Sequence, residues 1–167
     1  VPVAGVCIDS RAVMPGFLFA ALRGMETDGL TYVGDALARG AVAVLSDRPR
    51  PASVGCAWVL AEDARAALAR VARAFHGKPD EAIAVIGITG TNGKTTVGHL
   101  LEAIVHAAGG RAGLLGTVSY RIGERDVRAT RTTPEADSLF EFLRRMVDAG
   151  CTQAIVNQLN RATKSVF

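Results

Sequence analysis

The sequence predicts an α/β protein in two parts: a small mixed α/β module, then an incomplete phosphate-loop domain with a doubly wound parallel sheet. Three observations carry this. Short apolar runs alternate with helix-periodic segments. A polar stretch bearing Gly and Pro, His76–Asp80, interrupts that alternation. After it the order is strand, glycine-rich turn, helix, strand, which is the spacing of a βαβ unit.

In the first part, strand-like runs fall at Val3–Ile8, Phe17–Leu22, Val42–Ser46 and Ala57–Leu60, and helical patterns at Tyr32–Arg39 and Asp63–Phe75. Turn chemistry at Pro15-Gly16, Asp28-Gly29 and the stretch from Pro49 to Gly55 separates them. A mixed sheet is the expectation for this module, assigned to residues 1–79. The second part, residues 80–167, opens with a strand at Ala82–Thr89. A helix follows over Lys94–Ala108, stopped by Gly109-Gly110, then a strand at Arg111–Leu115. A polar hairpin through Gly123-Glu124 leads to a helix from Pro134 to Ala149. Pro134 suits a first helical turn, because its missing N–H had no intrahelical partner there. Gly150 ends that helix, and a last strand lies at Ala154–Val156. About three strands suited to a parallel sheet give this domain an unfinished reading. The absent initiator Met at Val1 gives the N-terminus the same reading.

Of the 167 residues, 49% are hydrophobic and 21% charged, a globular balance that argues against disorder. No apolar stretch approaches the roughly 18 to 20 residues of a membrane-spanning helix, and no leader pattern is visible, so membrane insertion is not expected. Cys7, Cys56 and Cys151 lack paired spacing, which disfavours a disulfide framework or zinc knuckle and points to a reducing cytoplasm. The net charge of +3 comes from scattered Arg, which fits small anionic ligands better than nucleic acid.

The most informative segment is Gly87-Ile88-Thr89-Gly90-Thr91-Asn92-Gly93-Lys94-Thr95-Thr96. Glycines allow a tight turn with inward-pointing N–H groups, and the following helix adds partial positive charge, so the turn can cradle a polyphosphate. Gly90, Thr91, Asn92, Gly93, Lys94, Thr95 and Thr96 are therefore the candidate ATP-binding residues. Lys94 is placed to reach the β- and γ-phosphates as the catalytic cation, and the Thr95 hydroxyl to ligate magnesium. Ile88 stands where the longer phosphate-loop pattern has Gly, so the match is to the shorter T-G-T-x-G-K-T-T form. The dinucleotide fingerprint Gly-x-Gly-x-x-Gly is not met.

This loop resembles the ATP loop of the Mur ligases, and other segments narrow the likeness. Asp9-Ser10-Arg11, the run from Pro15 to Gly24, Asp28-Gly29 and Gly40–Val44 resemble the N-terminal uridine-nucleotide domain of the third- and fourth-step ligases. Gly113–Thr117, Thr132-Thr133-Pro134-Glu135 and Met146–Thr152 resemble the third-step, MurE type. The likeness covers roughly residues 4 to 156. It implies ATP-dependent addition of diaminopimelate or lysine to UDP-N-acetylmuramoyl-L-alanyl-D-glutamate through an acyl phosphate. It further implies that Ile8 and Ser10 lie near the uridine, that Met25, Glu26 and Thr27 line the same pocket, and that Thr132 and Thr133 hold the muramoyl-peptide side. Met25 departs from the family, where His or another polar residue is common. After Val156 the family continues with a magnesium-binding Glu and a Ser-Ser run, whereas Asn157-Gln158-Leu159-Asn160 stands here. The tail from Arg161 to Phe167 resembles nothing in the family, and the chain reads as a fragment unable to complete catalysis.

Alternative readings are a non-catalytic module binding ATP or a UDP-nucleotide, the sibling ligase that adds D-alanyl-D-alanine, and an inert product of an interrupted gene. His76, His99 and His106 lack metal-ligand spacing and read as surface or packing residues; Trp58 reads as core. Neither the third amino acid nor the oligomeric state is legible.

Overall fold

A computed structural model describes residues 1–24, 27–116, 119–123, 125–128 and 134–157. The chain divides into two compact units, Val1–Phe75 and His76–Phe167. The division falls four residues ahead of the one drawn from sequence. Lys78–Glu81 account for the difference: the 3-10 turn Pro79–Glu81 packs against the later helix Ala136–Asp148 and so belongs to the second unit.

The first unit is built on β1 (Gly5–Cys7), β2 (Phe17–Ala20), β3 (Ala43–Ser46) and β4 (Ala57–Leu60), in that spatial order. The sheet expected to be mixed is parallel throughout. Every connection between successive strands is long enough to cross back over a face, and none is a tight hairpin. One face meets α1 (Val33–Ala38) and its flanking turns, through Cys7, Phe19, Val44, Val33 and Ala36. The residues between these in the strands, Leu18, Ala20, Ala43 and Leu45, are also buried, and α2 (Ala64–Phe75) packs against β1 and β3. Burial on both faces explains why the inner strands β2 and β3 read as continuous apolar runs. At the β1–β2 pair the Phe17 ring lies over Gly5, where a Cβ would stand 2.4 Å from ring carbons.

The second unit has a sheet of order β5-β9-β6-β7-β8. Its strands are β5 (Ala84–Ile88), β6 (Ala112–Leu115), β7 (Ser119–Ile122), β8 (Arg125–Arg128) and β9 (Gln153–Asn157). β9 inserts between β5 and β6, parallel to both, whereas β7 and β8 extend the sheet as an antiparallel hairpin. Helix α3 (Lys94–Ala107) covers one face through Leu101 and Val105 over Ala112, Leu114 and Ile155. Helix α4 (Ala136–Asp148) lies on the other: a Cβ on Gly113 would stand 2.5 Å from the Met146 sulfur. Tyr120 and Phe142 meet there edge to face, with centroids 4.8 Å apart. Pro134 precedes the helix, whose cap is Glu135, because the chain is still extended at that residue. No described helix is long and apolar enough to cross a membrane.

Ile155, fully buried at the centre of β9, tests this arrangement. Ile155→Ala is expected to lower unfolding free energy by about 2–5 kcal/mol in urea titration, the usual cost of truncating a core aliphatic. A loss below about 0.5 kcal/mol, the scale of a surface substitution, would contradict a central position for β9.

Candidate phosphate-loop site

β5 ends at Ile88, and the chain turns through Thr89–Gly93 into α3. Gly90 has φ +152° and Gly93 φ +77°, conformations that side-chain-bearing residues rarely adopt. Gly93 caps α3 without a side-chain hydrogen bond, so the first-turn amides are left for solvent or an anion. Thr91, Asn92, Thr95 and Thr96 are exposed. Lys94 is half-buried; its Nζ donates to the Gly90 carbonyl at 2.6 Å and reaches the Thr91 carbonyl at 3.5 Å. A cation on the first residue of a helix opposes the helix dipole. Among the described residues no carboxylate pairs with it. Among these residues the loop's own carbonyls hold it, an arrangement that an entering polyphosphate can displace.

The residue opposite Ile88 in the ladder is Asn157, at the carboxyl end of β9. It is 1% exposed, and among the described residues neither Oδ1 nor Nδ2 has a hydrogen-bond partner. It faces α3 at Gly98, where a Cβ would stand 3.2 Å from Oδ1. Sequence reasoning marks Asn157 as a departure from the family pattern but misses Gly98 and the contact between the two. A glycine one turn into a phosphate-loop helix was the available signal for Gly98, but only the β5–β9 register brings Asn157 beneath it.

The nearby buried carboxylate is Glu102 on α3, and it is committed elsewhere. Its two oxygens accept from Arg121 Nη1 at 3.0 and 2.9 Å, and His99 Nδ1 lies at 3.3 Å. No group of three or more His, Cys, Asp or Glu suited to a metal occurs among the described residues. Magnesium held by protein usually has one or two carboxylate ligands beside phosphate oxygens. At this loop the described side-chain oxygen donors are neutral hydroxyls and amides, Thr91, Thr95, Thr96, Asn92 and Asn157, a set without a carboxylate that does not fit a protein-held divalent cation.

The first unit places its candidate residues at the matching end of its own sheet. Half-buried Ile8 and buried Ser10 follow β1, where the Asp9 carboxylate caps a 3-10 turn by accepting from the Arg11 amide at 3.0 Å and from the Arg11 guanidinium. Thr27 is exposed in the loop after β2, which closes through Gly24 N–H to the Thr27 carbonyl at 2.8 Å and an Arg23–Asp28 bridge. Asp28 anchors that loop by accepting from the Leu30 amide and from Arg48 Nη2. Met25, Glu26, Thr132 and Thr133 lie outside the described residues. Trp58 is partly buried against the core and donates Nε1–H to the Arg48 carbonyl at 2.9 Å, consistent with its reading as a packing residue.

The Arg48 guanidinium, and after it the Leu30 amide, hold Asp28 below the ordinary carboxylate range. Since the folded-state value is the lower one, this contribution is fully present above about pH 4 and lost as pH falls through the folded value. Asp28→Asn is expected to flatten the acid limb of the Tm-versus-pH profile. An acid limb unchanged from wild type would show that the Asp28–Arg48 tie does not hold the loop.

Comparison with known proteins supplies the family. Residues 2–76 match the description "Mur ligase family, catalytic domain" and residues 88–157 match "Mur ligase middle domain". The UDP-N-acetylmuramoyl-L-alanyl-D-glutamate–2,6-diaminopimelate ligase of Caldanaerobacter subterraneus subsp. tengcongensis is 45% identical over 93% of this chain and 32% of its own length. A solved structure of a ligase of that name superposes with TM-score 0.74 at 30% identity, over 94% of this chain and 32% of that one. MurF ligase from Thermotoga maritima in complex with ADP shares the fold, with TM-score 0.57 at 21% identity, over 92% of this chain and 31% of that one. The chain thus spans about a third of the length of the relatives it matches. With both of its units matched in order, the chain belongs to the Mur ligase family.

Proposed function

We propose that this chain carries the nucleotide-holding portion of an ATP-dependent amide-bond-forming ligase of peptidoglycan precursor synthesis, acting in the cytoplasm. The observation that carries the proposal is Lys94. It is a cation at the positive end of a helix, tethered among the described residues by loop carbonyls, beside first-turn amides without a side-chain cap from Gly93. That combination is stable chiefly in the presence of an anion. Gly90, Thr91, Asn92, Gly93, Thr95 and Thr96 surround the triphosphate of ATP, and Lys94 neutralises charge on the transferring phosphoryl group.

The likeness to diaminopimelate ligases supports UDP-N-acetylmuramoyl-L-alanyl-D-glutamate as the acceptor and diaminopimelate as the incoming group, with lysine the related choice. In that reaction the glutamyl carboxylate oxygen attacks the γ-phosphorus and ADP leaves. An amine then attacks the acyl carbon and releases phosphate. Ile8, Ser10, Met25, Glu26 and Thr27 take the uridine nucleotide, and Thr132 and Thr133 the muramoyl-peptide side. In the relatives the complete reaction is spread over about three times this length, so the assignment here is to the holding of the two nucleotides. The neutral Asn157 favours a second reading, a module that binds ATP without turning it over.

Calorimetric titration with ATP is expected to show saturable binding that Lys94→Ala weakens by about 10- to 100-fold, the worth of a charge-assisted phosphate contact. A folded chain without saturable ATP binding would overturn the assignment.

A further inference from the structure

The family resemblance implies magnesium at the phosphate loop, and the residues around the loop do not fit it. What they offer is a buried primary amide. Asn157 is inaccessible, bears one donor group and one acceptor, and among the described residues pairs neither. Leaving such a group unpartnered costs stability, and native structures rarely do so without an ion, water or ligand to satisfy it. Its position is set by backbone pairing: β9 is registered with β5 so that Asn157 stands opposite the last strand residue before the loop. Gly98 leaves room for it, since any Cβ there would press on the amide at 3.2 Å from Oδ1 and 3.5 Å from Nδ2.

The charge inventory gives the chemistry. Around the loop are Lys94, uncapped helix amides, the Thr95 and Thr96 hydroxyls and Asn157. The buried carboxylate on the same helix, Glu102, is neutralised by Arg121. A carboxylate at position 157 would repel a triphosphate unless a cation bridged them. An amide N–H donates to a phosphate oxygen with no such bridge, directly or through one ordered water. We propose that Asn157 Nδ2 is a nucleotide-binding donor that stands in for a metal bridge, so that this site takes ATP with little dependence on magnesium. This inference rests on the nucleotide reading of the loop.

The test is calorimetry on the full chain with ATP, in excess magnesium chloride and separately in EDTA, for wild type, Asn157→Asp and Asn157→Leu, with Lys94→Ala as the control for the loop. Circular dichroism establishes that each variant is folded. Wild-type affinities in the two conditions are expected to agree within about threefold, because no protein carboxylate needs bridging. Asn157→Asp is expected to bind at least about tenfold more tightly with magnesium than with EDTA, and Asn157→Leu to weaken binding equally in both. Wild-type binding that is sensitive to Lys94 and falls at least about tenfold in EDTA would overturn the role of Asn157 while leaving the loop a nucleotide site. Absence of ATP binding in both conditions would overturn both. The wild-type comparison decides the question even if a variant does not fold.

Discussion

The insertion of β9 between β5 and β6 is the constraint on which the second unit depends. Its backbone pairs on both sides, and its side chains alternate between the two helices: Ile155 and Asn157 face α3, and Ala154 and Val156 are buried on the face covered by α4. Parallel pairing on both edges brings the carboxyl ends of β5 and β9 together. Ligand sites in open α/β sheets form where strands end in this way, because helix N-termini and loops converge there. The phosphate loop is therefore a consequence of strand order as well as of glycine content.

The electrostatics follow from that geometry. α3 presents its positive end, and Lys94 adds a full charge at the same place. A neutral Asn157 beneath them leaves the site with a cationic bias, matched to a polyphosphate. The opposing charge in the neighbourhood is drawn away: Glu102 is tied to Arg121 on β7, which also links the loop helix to the hairpin. In the first unit a parallel sheet likewise gathers its loops at one end, and Asp9 and Asp28 brace them by capping short turns.

Much of this was legible in the sequence, for identifiable reasons. Elements whose apolar residues fill a face were found within a few residues, as at Phe17–Ala20 and Ala64–Phe75. The loop was found because Gly-Lys-Thr-Thr at a helix start has no packing purpose. Strand order was not legible, since pairing joins residues distant in sequence; β9 lying between β5 and β6 left no local trace. The expectation of a mixed first sheet failed because short strands with irregular connections read alike in either direction. In α3 the apolar pattern misleads about burial. Val97, Leu100 and Ile104 are exposed, while Glu102 and Gly98 are buried, because Arg121 and Asn157 lie opposite them.

The most direct test of the central claim, that the β5–α3 turn closes on a polyphosphate, is amide hydrogen exchange with and without ATP. Slowed exchange concentrated in Gly90–Thr96 and at the end of β9 is the predicted result. Protection elsewhere, with the loop amides unchanged, would contradict it.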